Sequence, residues 1–437
     1  MLLLSAALVV VGAPAAALVG TDDPAPPTQD TTTATPSAPA PPTPSPSSSA
    51  TPEVTQGVPG NGGTPQDDAK ASQTDGPGSA IPGLVDLTGK GRWVAVNGRW
   101  QWHLNDGSPA RSHWARIEAA VYRFDDEGYV QTGWWQDGRS WYYLGTSGAL
   151  STGWTQVGTA WYYLDPTTGV MATGTLTIGG STYHFTSTGV WIGYQAPAGY
   201  LQPVSQITSL GWATNDLTWG MNGVKVRIVQ QRLGLWYSTK LASVDASFQN
   251  AVRNFQRRVG LPQTGVVDQS TWNALDTGYS WWVDQYQATP VSLSATRSER
   301  IEAMIGYARD QLGSSYTWGG AGPYNLGFDC SGLSLQSLYR AGLDPQPIDV
   351  YKHAWPAYRT SQELYDHPGL MHVPLSQRQR GDLIFYTSEG VVTHVAIYLG
   401  DDQVIHTDWM GRPARVQHIT VGYGWENMTG YVVRPFP

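Results

Sequence analysis

Between residues 92 and 194 the chain repeats itself, and this constrains its fold more than any other feature. Gly107, Gly128, Gly148, Gly169 and Gly189 are spaced 21, 20, 21 and 20 residues apart. Between them recur Trp141-Tyr142-Tyr143-Leu144, Trp161-Tyr162-Tyr163-Leu164 and the weaker Tyr183-His184-Phe185, preceded by Gly133-Trp134, Gly153-Trp154 and Gly174. A fixed short period of aromatic strands and glycine turns predicts stacked β-hairpins, each burying its face only against its neighbours. The 20 Trp in 437 residues need an explanation of their own, and the repeat supplies one.

The flanks differ in character. Met1 to Val19 is almost wholly apolar and ends in small residues, which predicts a secretory signal peptide over 1–20. No Lys or Arg occurs before Lys70, so the positive start of such a signal is missing, and a retained anchor is the alternative. Residues 21–84 are a Pro/Thr/Ser-rich tract that buries too little to offset its ordering entropy, and it reads as a disordered linker. No later segment is long and apolar enough to span a membrane. A formal charge of −8 argues against a nucleic-acid partner.

From about 200 to 280 the apolar spacing becomes helical. Val224–Leu235 carries a mainly helical stripe, and Phe248, Val252, Phe255 and Val259 recur at i, i+4, i+7 and i+11 before the stop at Gly260. Trp272 and Leu275 mark a third short helix, capped by Asp268 or Ser270. Residues 281–296 read as a further linker.

The last domain, 297–437, carries the chemistry. A helix is expected from about Ser298 to Leu312, closed by Gly313. A second begins at Cys330, where Leu335, Leu338 and Ala341 share a face and Gly342 is the stop. Cys330 is the only cysteine, so no internal disulfide forms, and a lone thiol is either buried and inert or reactive. Its place in the first turn of a helix favours thiolate and predicts a lowered pKa. His394 and His406 flank a predicted β-hairpin whose three-residue loop, Gly400-Asp401-Asp402, leaves the two imidazoles on one face, a diagonal step apart. One ring can take the cysteine proton while the other orients it. A zinc site is a poorer reading, since one Cys and two His leave a ligand wanting. No metal or cofactor is expected.

Three resemblances follow from these residues. Gly-Trp, a short turn, then Trp-Tyr-Tyr-Leu resembles the aromatic wall-binding repeats of bacterial surface hydrolases. That implies a cage for choline or a platform for sugar rings built from Trp134, Trp141, Trp154 and Trp161 over 85–199, although such aromatics also fill a thin core. Ala251 to Trp272 resembles the three-helix peptidoglycan-binding domain, with a longer Leu235–Ser247 segment before its second helix. Tyr316-Thr-Trp-Gly-Gly, Asp329-Cys-Ser-Gly-Leu333, Gly381-Asp-Leu-Ile-Phe-Tyr386, His394-Val-Ala-Ile-Tyr-Leu-Gly400 and Val404-Ile-His406 resemble the NlpC-type cell-wall peptidases.

The last resemblance implies a papain-like α+β fold. It makes Cys330 the nucleophile, His394 the general base and His406 the polar third member. Tyr316 would sit near the oxyanion, and Asp329 and Ser331 would hold a substrate amine, although Asp329 is also a good helix cap. The loop from Trp318 to Cys330 is slightly longer than usual. The implied protein is multidomain, secreted and wall-associated, with peptidoglycan stem peptides as substrate and the D-γ-glutamyl–diamino acid bond as the point of cleavage. An amidase or acyltransferase on the same scaffold, or a wall-bound adhesin with an inert peptidase domain, would share much of this sequence. If the binding modules act only as tethers, deleting 92–277 lowers activity on intact walls far more than on small soluble fragments.

Overall fold

The computed structural model describes residues 80–209, 215–235, 242–350, 359–408, 412–421 and 427–437. The expected signal or anchor at 1–20, and all of the linker before residue 80, lie outside the described residues. The end of that linker does not remain apart: Ile81 is buried and Leu84 packs beside it against Trp114, Tyr142 and Leu150 of the repeats.

The repeat region opens with a short strand, β1 (Val85–Asp86), and continues as five hairpins. These are β2–β3 (Gly91–Val96, Arg99–Leu104), β4–β5 (Trp114–Ile117, Ala120–Arg123), β6–β7 (Gly133–Asp137, Ser140–Leu144), β8–β9 (Gly153–Val157, Ala160–Leu164) and β10–β11 (Gly174–Ile178, Ser181–Phe185). Two residues turn each hairpin, as the pairs Val96↔Arg99, Ile117↔Ala120, Asp137↔Ser140, Val157↔Ala160 and Ile178↔Ser181 establish. One backbone hydrogen bond recurs along the stack: Val130 N–H to Trp100 O, Leu150 to Val121, Met171 to Trp141 and Trp191 to Trp161, at 2.7–2.8 Å. Each repeat is therefore stitched to the one before it, as a solenoid requires.

The five periodic glycines all have φ between 74° and 90°. Three of them, Gly148, Gly169 and Gly189, also lie against the stitching residue of the preceding repeat. A Cβ on Gly148 would stand 2.5 Å from Val130 Cγ2, and one on Gly189 would stand 2.2 Å from Met171 Sδ. Both backbone conformation and contact distance thus demand glycine at the repeat period.

The helical unit comprises α1 (Val224–Arg232), α2 (Ala246–Arg258) and α3 (Gln269–Leu275). Asp245 caps α2 through Phe248 N–H, and Asp268 caps α3 through Thr271 N–H, which decides between the two expected caps. Phe248 and Val252 are fully buried, whereas Val259, expected on the same stripe, lies beyond the last turn and is exposed. Leu326, from the loop after Trp318, is buried in this unit's apolar cluster with Val226, Phe248 and Trp272.

In the C-terminal domain α4 (Arg297–Asp310) starts at a capping box between Thr296 and Glu299. It is followed by α5 (Cys330–Arg340), α6 (Ser361–Tyr365) and the strands β12 (Met371–Pro374), β13 (Leu383–Ser388), β14 (Val391–Gly400), β15 (Gln403–Asp408), β16 (Arg412–His418) and β17 (Tyr431–Arg434). The strands form one sheet in the order β12-β17-β13-β14-β15-β16, antiparallel throughout. One apolar cluster joins α4 and α5 to Leu383, Phe385, Val395, Ile397 and Ile405; a second gathers Ile384, Tyr386, Ala396, Tyr398 and Val404. The alternation along β13 and β14 is that of a sheet covered on both faces.

Residues expected to belong elsewhere complete this core. Tyr194, Ala196 and Ile207, divided in the sequence reading between the repeats and the helical unit, are buried in it, as is Ala288 of the expected 281–296 linker. Tyr194 donates its hydroxyl to the Pro437 carbonyl at 3.0 Å, and Gln336 on α5 accepts from Gln287 N–H at 3.0 Å. Ser294 reaches the repeats, accepting from Trp161 N–H and donating to Trp191 O. Wherever a boundary is drawn, these segments are packed chain rather than free linker.

Candidate active site

Cys330 is the first residue of α5, and Asp329 caps that helix by accepting from Gly332 N–H at 2.7 Å. Asp329 also accepts from Gly319 N–H at 2.9 Å, which ties the Tyr316–Gly320 loop to the helix start. The guanidinium of Arg359, wholly buried, meets the same carboxylate at 2.7 Å. Ser331 donates to the Arg359 carbonyl at 2.9 Å and contacts Asp329 at 3.2 Å. Asp329 and Ser331 therefore sit at the site as expected, but with protein groups already on their oxygens. Arg359, which sequence reasoning missed, is what makes a carboxylate tolerable in so dry a place. No sequence signal marks it, because it lies in the stretch between helix and sheet that no periodicity assigns.

The two histidines come together as expected. Ile397 pairs with Ile405 and Tyr398 with Val404, which puts His406 one diagonal step from His394. The turn differs slightly from expectation: Gly400 pairs with Gln403, so the loop is Asp401-Asp402, both at positive φ, and the third residue becomes a bulge at Leu399. The diagonal survives because a bulge and a loop residue shift the register equally. His394 Nε2 and His406 Nδ1 are 2.9 Å apart, and both rings are buried. A second bulge, which leaves Thr393 unpaired beside His394, lies at the pocket.

Cys330, His394, Tyr316, Asp329, Ser331 and Trp318 line one pocket of about 310 Å³, closed on its remaining side by Thr360, Ser361 and Val392. Tyr316 is buried there, and Trp318 is exposed at its mouth. A larger cavity, about 420 Å³, lies in the repeats between Arg99, Asp125 and Trp134, and holds neither thiol nor imidazole. Thiol and imidazole are both found on the lining of the smaller one.

The resting state of the thiol departs from the expectation of a lowered pKa. Although Cys330 is only half-buried as a residue and opens on the pocket, the protein packed around its sulfur pushes the thiol up to about 12, and the adjacent Asp329 carboxylate adds to this. The N–H groups of Val395 and Ser331, and Arg359, pull the other way and are outweighed. The helix dipole fails to prevail because its positive end is already met by the capping carboxylate. His394 is held well below the ordinary imidazole range by burial, then by His406 and Arg415. His406 is lowered to about 4, by burial first and then by Arg415. Burial thus favours the neutral form of the thiol and of both imidazoles.

A lone thiol beside a paired imidazole at a helix start is a peptidase constellation, and residues 313–433 match the NlpC/P60 family. That match lies wholly within the C-terminal domain. Residues 222–275 match the putative peptidoglycan binding domain, and 132–150 and 152–171 match the putative cell wall binding repeat. The chain is 31% identical to peptidoglycan endopeptidase RipA of Mycobacterium tuberculosis over 48% of its own length and 40% of that protein's. It is 30% identical to the probable endopeptidase YafL of Escherichia coli over 30% of this chain and 48% of that one. It thus spans less than half of either relative. Among solved structures it is similar to choline binding protein F of Streptococcus pneumoniae, at 39% identity over 23% of this chain and 34% of that one, with a TM-score of 0.22.

Outside the NlpC/P60 domain, the four tryptophans singled out from the repeats divide into two pairs. Trp134 and Trp141 stand edge to face at 82°, and with Tyr162 and Met171 they line an open cavity of about 310 Å³. Trp154 and Trp161, one repeat later, are packed instead in a cluster with Phe185 and Trp191. Trp191 holds the position that Met171 holds one repeat earlier, stitched in the same way, and its indole lies 5.6 Å from that of Trp154. Tyr162, which completes the open box, was not among the expected residues. The spacing of Tyr183 in the next repeat was the available signal.

Proposed function

We propose that this chain is a cysteine endopeptidase that cuts the stem peptides of peptidoglycan, and that it is exported and held at the cell wall by its repeats and helical unit. The observation that carries this reading is that Cys330 and His394 line one pocket, with His406 2.9 Å behind His394, in a region that matches the NlpC/P60 family. Cys330 attacks the scissile carbonyl carbon while its proton passes to His394, which spares the site a standing thiolate. The amine then leaves with that proton, an acyl-thioester remains, and water activated at His394 releases the acid. His406 holds the His394 ring. Tyr316 lies beside the carbonyl oxygen, and Asp329 and Ser331 shape the end of the pocket that takes the substrate amine. The bond we assign is that from D-γ-glutamate to the following diamino acid.

Product analysis tests this. Full-length protein and a Cys330→Ala variant are incubated with defined soluble muropeptides, and the fragments are weighed. Cleavage after γ-D-glutamate by the first alone is the expected result. Release of the entire stem peptide from the sugar would make the domain an amidase, and no cleavage of muropeptides or walls would make it an inert adhesin.

The open box of Trp134, Trp141, Tyr162 and Met171 supports a wall ligand bearing a quaternary ammonium group, such as choline. Trp134 set at 82° to Trp141 and 64° to Tyr162, together with a thioether, offers such a cation π-faces without a competing charge. Titration with choline chloride is expected to saturate one site in the repeats and to be lost in Trp141→Ala.

A further inference from the structure

The imidazole pair continues into a third strand. His406 pairs with Arg415 and Val404 with Gln417, so Gln417 on β16 stands one diagonal step from His406, just as His406 stands one step from His394. Gln417 Oε1 lies 3.4 Å from His406 Nε2. The same oxygen accepts from Arg415 Nε at 2.9 Å. Arg415 is in turn held by an ion pair with buried Asp408, which also faces Arg412.

These contacts determine where protons sit. A guanidinium only donates, so the atom of Gln417 that meets Arg415 must be its oxygen and not its amide nitrogen. An oxygen meeting His406 Nε2 requires that nitrogen to carry a proton. A neutral imidazole has one N–H, so His406 Nδ1 is then an acceptor. His394 Nε2, 2.9 Å away, must donate to it. His394 Nδ1 is left unprotonated, as a base must be. Both rings are neutral at neutral pH, because burial lowers both. Their single protons could otherwise be distributed in the opposite sense, with Nδ1–H on each, and that arrangement cannot accept a proton from the thiol at His394 Nδ1.

We propose that Gln417, oriented by Arg415, is a positioning residue that selects the Nε2–H tautomer of His406 and, through it, the basic tautomer of His394. The proposal rests on the reading of Cys330 and His394 as nucleophile and base, but its first readout does not. Gln417 is half-buried on the edge strand, so its replacement disturbs little packing.

The test uses the full chain with 15N-labelled histidine at neutral pH, together with Gln417→Leu and Gln417→Glu. In the wild type the imidazole spectrum is expected to show Nε2–H on both buried rings. In Gln417→Leu a population with Nδ1–H on His406 should appear. Its kcat on soluble muropeptides should fall roughly 10²-fold, the lower end of what a positioned general base contributes, with KM within about twofold. Gln417→Glu keeps an acceptor toward both neighbours and should restore both the tautomer and most of kcat. Nδ1–H on either buried ring of the wild type would overturn the proposal. So would a Gln417→Leu protein with unchanged tautomers and unchanged kcat, or one whose loss Gln417→Glu does not mend. If the wild type shows the expected tautomers but cleaves nothing, the proton arrangement stands and the endopeptidase reading falls.

Discussion

In the repeats, Trp134 and Trp141 stand on one hairpin and their box is completed by Tyr162 and Met171 from the next. In the NlpC/P60 domain, His394 and His406 stand on neighbouring strands inside a six-stranded sheet buried on both faces, and Cys330, at the start of a helix, shares a pocket with His394. The first arrangement stays within consecutive repeats, with Ser187 and Thr188 of the following one also on its lining. The second draws on α5, three strands, the Arg359 ion pair and even the chain at 194–207. Function in a solenoid can therefore be altered one box at a time, whereas in the peptidase domain each functional group is held by groups distant in sequence.

The largest effect expected from this contrast is on catalysis alone. His394→Ala should lower kcat on the order of 10³-fold, while choline binding by the repeats stays as it was. A matched loss of both, followed by kinetics and titration on the same preparation, would mean the regions are not separable.

Next in size is stability against acid. The unfolded chain protonates a histidine near pH 6.5, whereas folded His406 resists until about 4. Between those values the unfolded state binds more protons, so the domain loses stability as pH falls through the window and loses no more from this group below it. The loss is on the order of 3 kcal/mol for His406, and His394 adds to it in the same direction. Urea unfolding of the NlpC/P60 domain across that range should show the slope, reduced in His406→Gln. A pH-independent midpoint would mean that the imidazoles are not buried in neutral form.

Much of this was legible in the sequence because local rules dominate it. The glycine period marked the repeats, since each of those positions needs a positive φ. The hairpin between His394 and His406 was legible because a strand period of two makes their diagonal relation arithmetic. Gln417 obeys the same arithmetic one strand further on, and only the lack of a predicted β16 hid it. Arg359, by contrast, meets Asp329 across 30 residues, and no spacing rule reaches that far. The pKa of Cys330 was misread for a related reason. The helix start is local and visible, while the packing around the sulfur is tertiary and is not.

A smaller effect tests how far the helical unit acts as a tether. Arg227 on α1 donates to Thr317 Oγ1 at 2.9 Å and to Leu326 O at 3.1 Å, and Gly319 packs against the backbone at Asn222 and Gly223. The slightly long loop after Trp318 is thus clamped between α1 and the capping carboxylate of Asp329. Deleting the repeats alone should spare activity on soluble muropeptides. Arg227→Ala should lower it by about 10-fold, the factor that about 1.4 kcal/mol of misplaced wall would supply. If only activity on intact walls falls, the helical unit is a tether and the clamp has no catalytic consequence.

The smallest effect bears on the repeats themselves. Two boxes share one plan, and they differ where Met171 in one is replaced by Trp191 in the other. A thioether is slim and flexible and leaves room between its tryptophan neighbours. An indole in the same place occupies that room, and Trp191 is 7% exposed against Trp154. Trp191→Met should therefore open a second box formed by Trp154, Trp161 and Tyr183, and calorimetric titration with choline should rise from one site to two. The new site should be the weaker one, because Trp161 is already tied through its backbone to Ser294 and cannot adjust freely. The substitution also removes buried aromatic contact between the last repeat and the one before it, so the module should melt somewhat earlier. A variant that melts earlier yet still binds one choline would show that Tyr183 and Phe185 close the box without Trp191, and that the openness of a box is set by the entire hairpin rather than by one residue at the stitch.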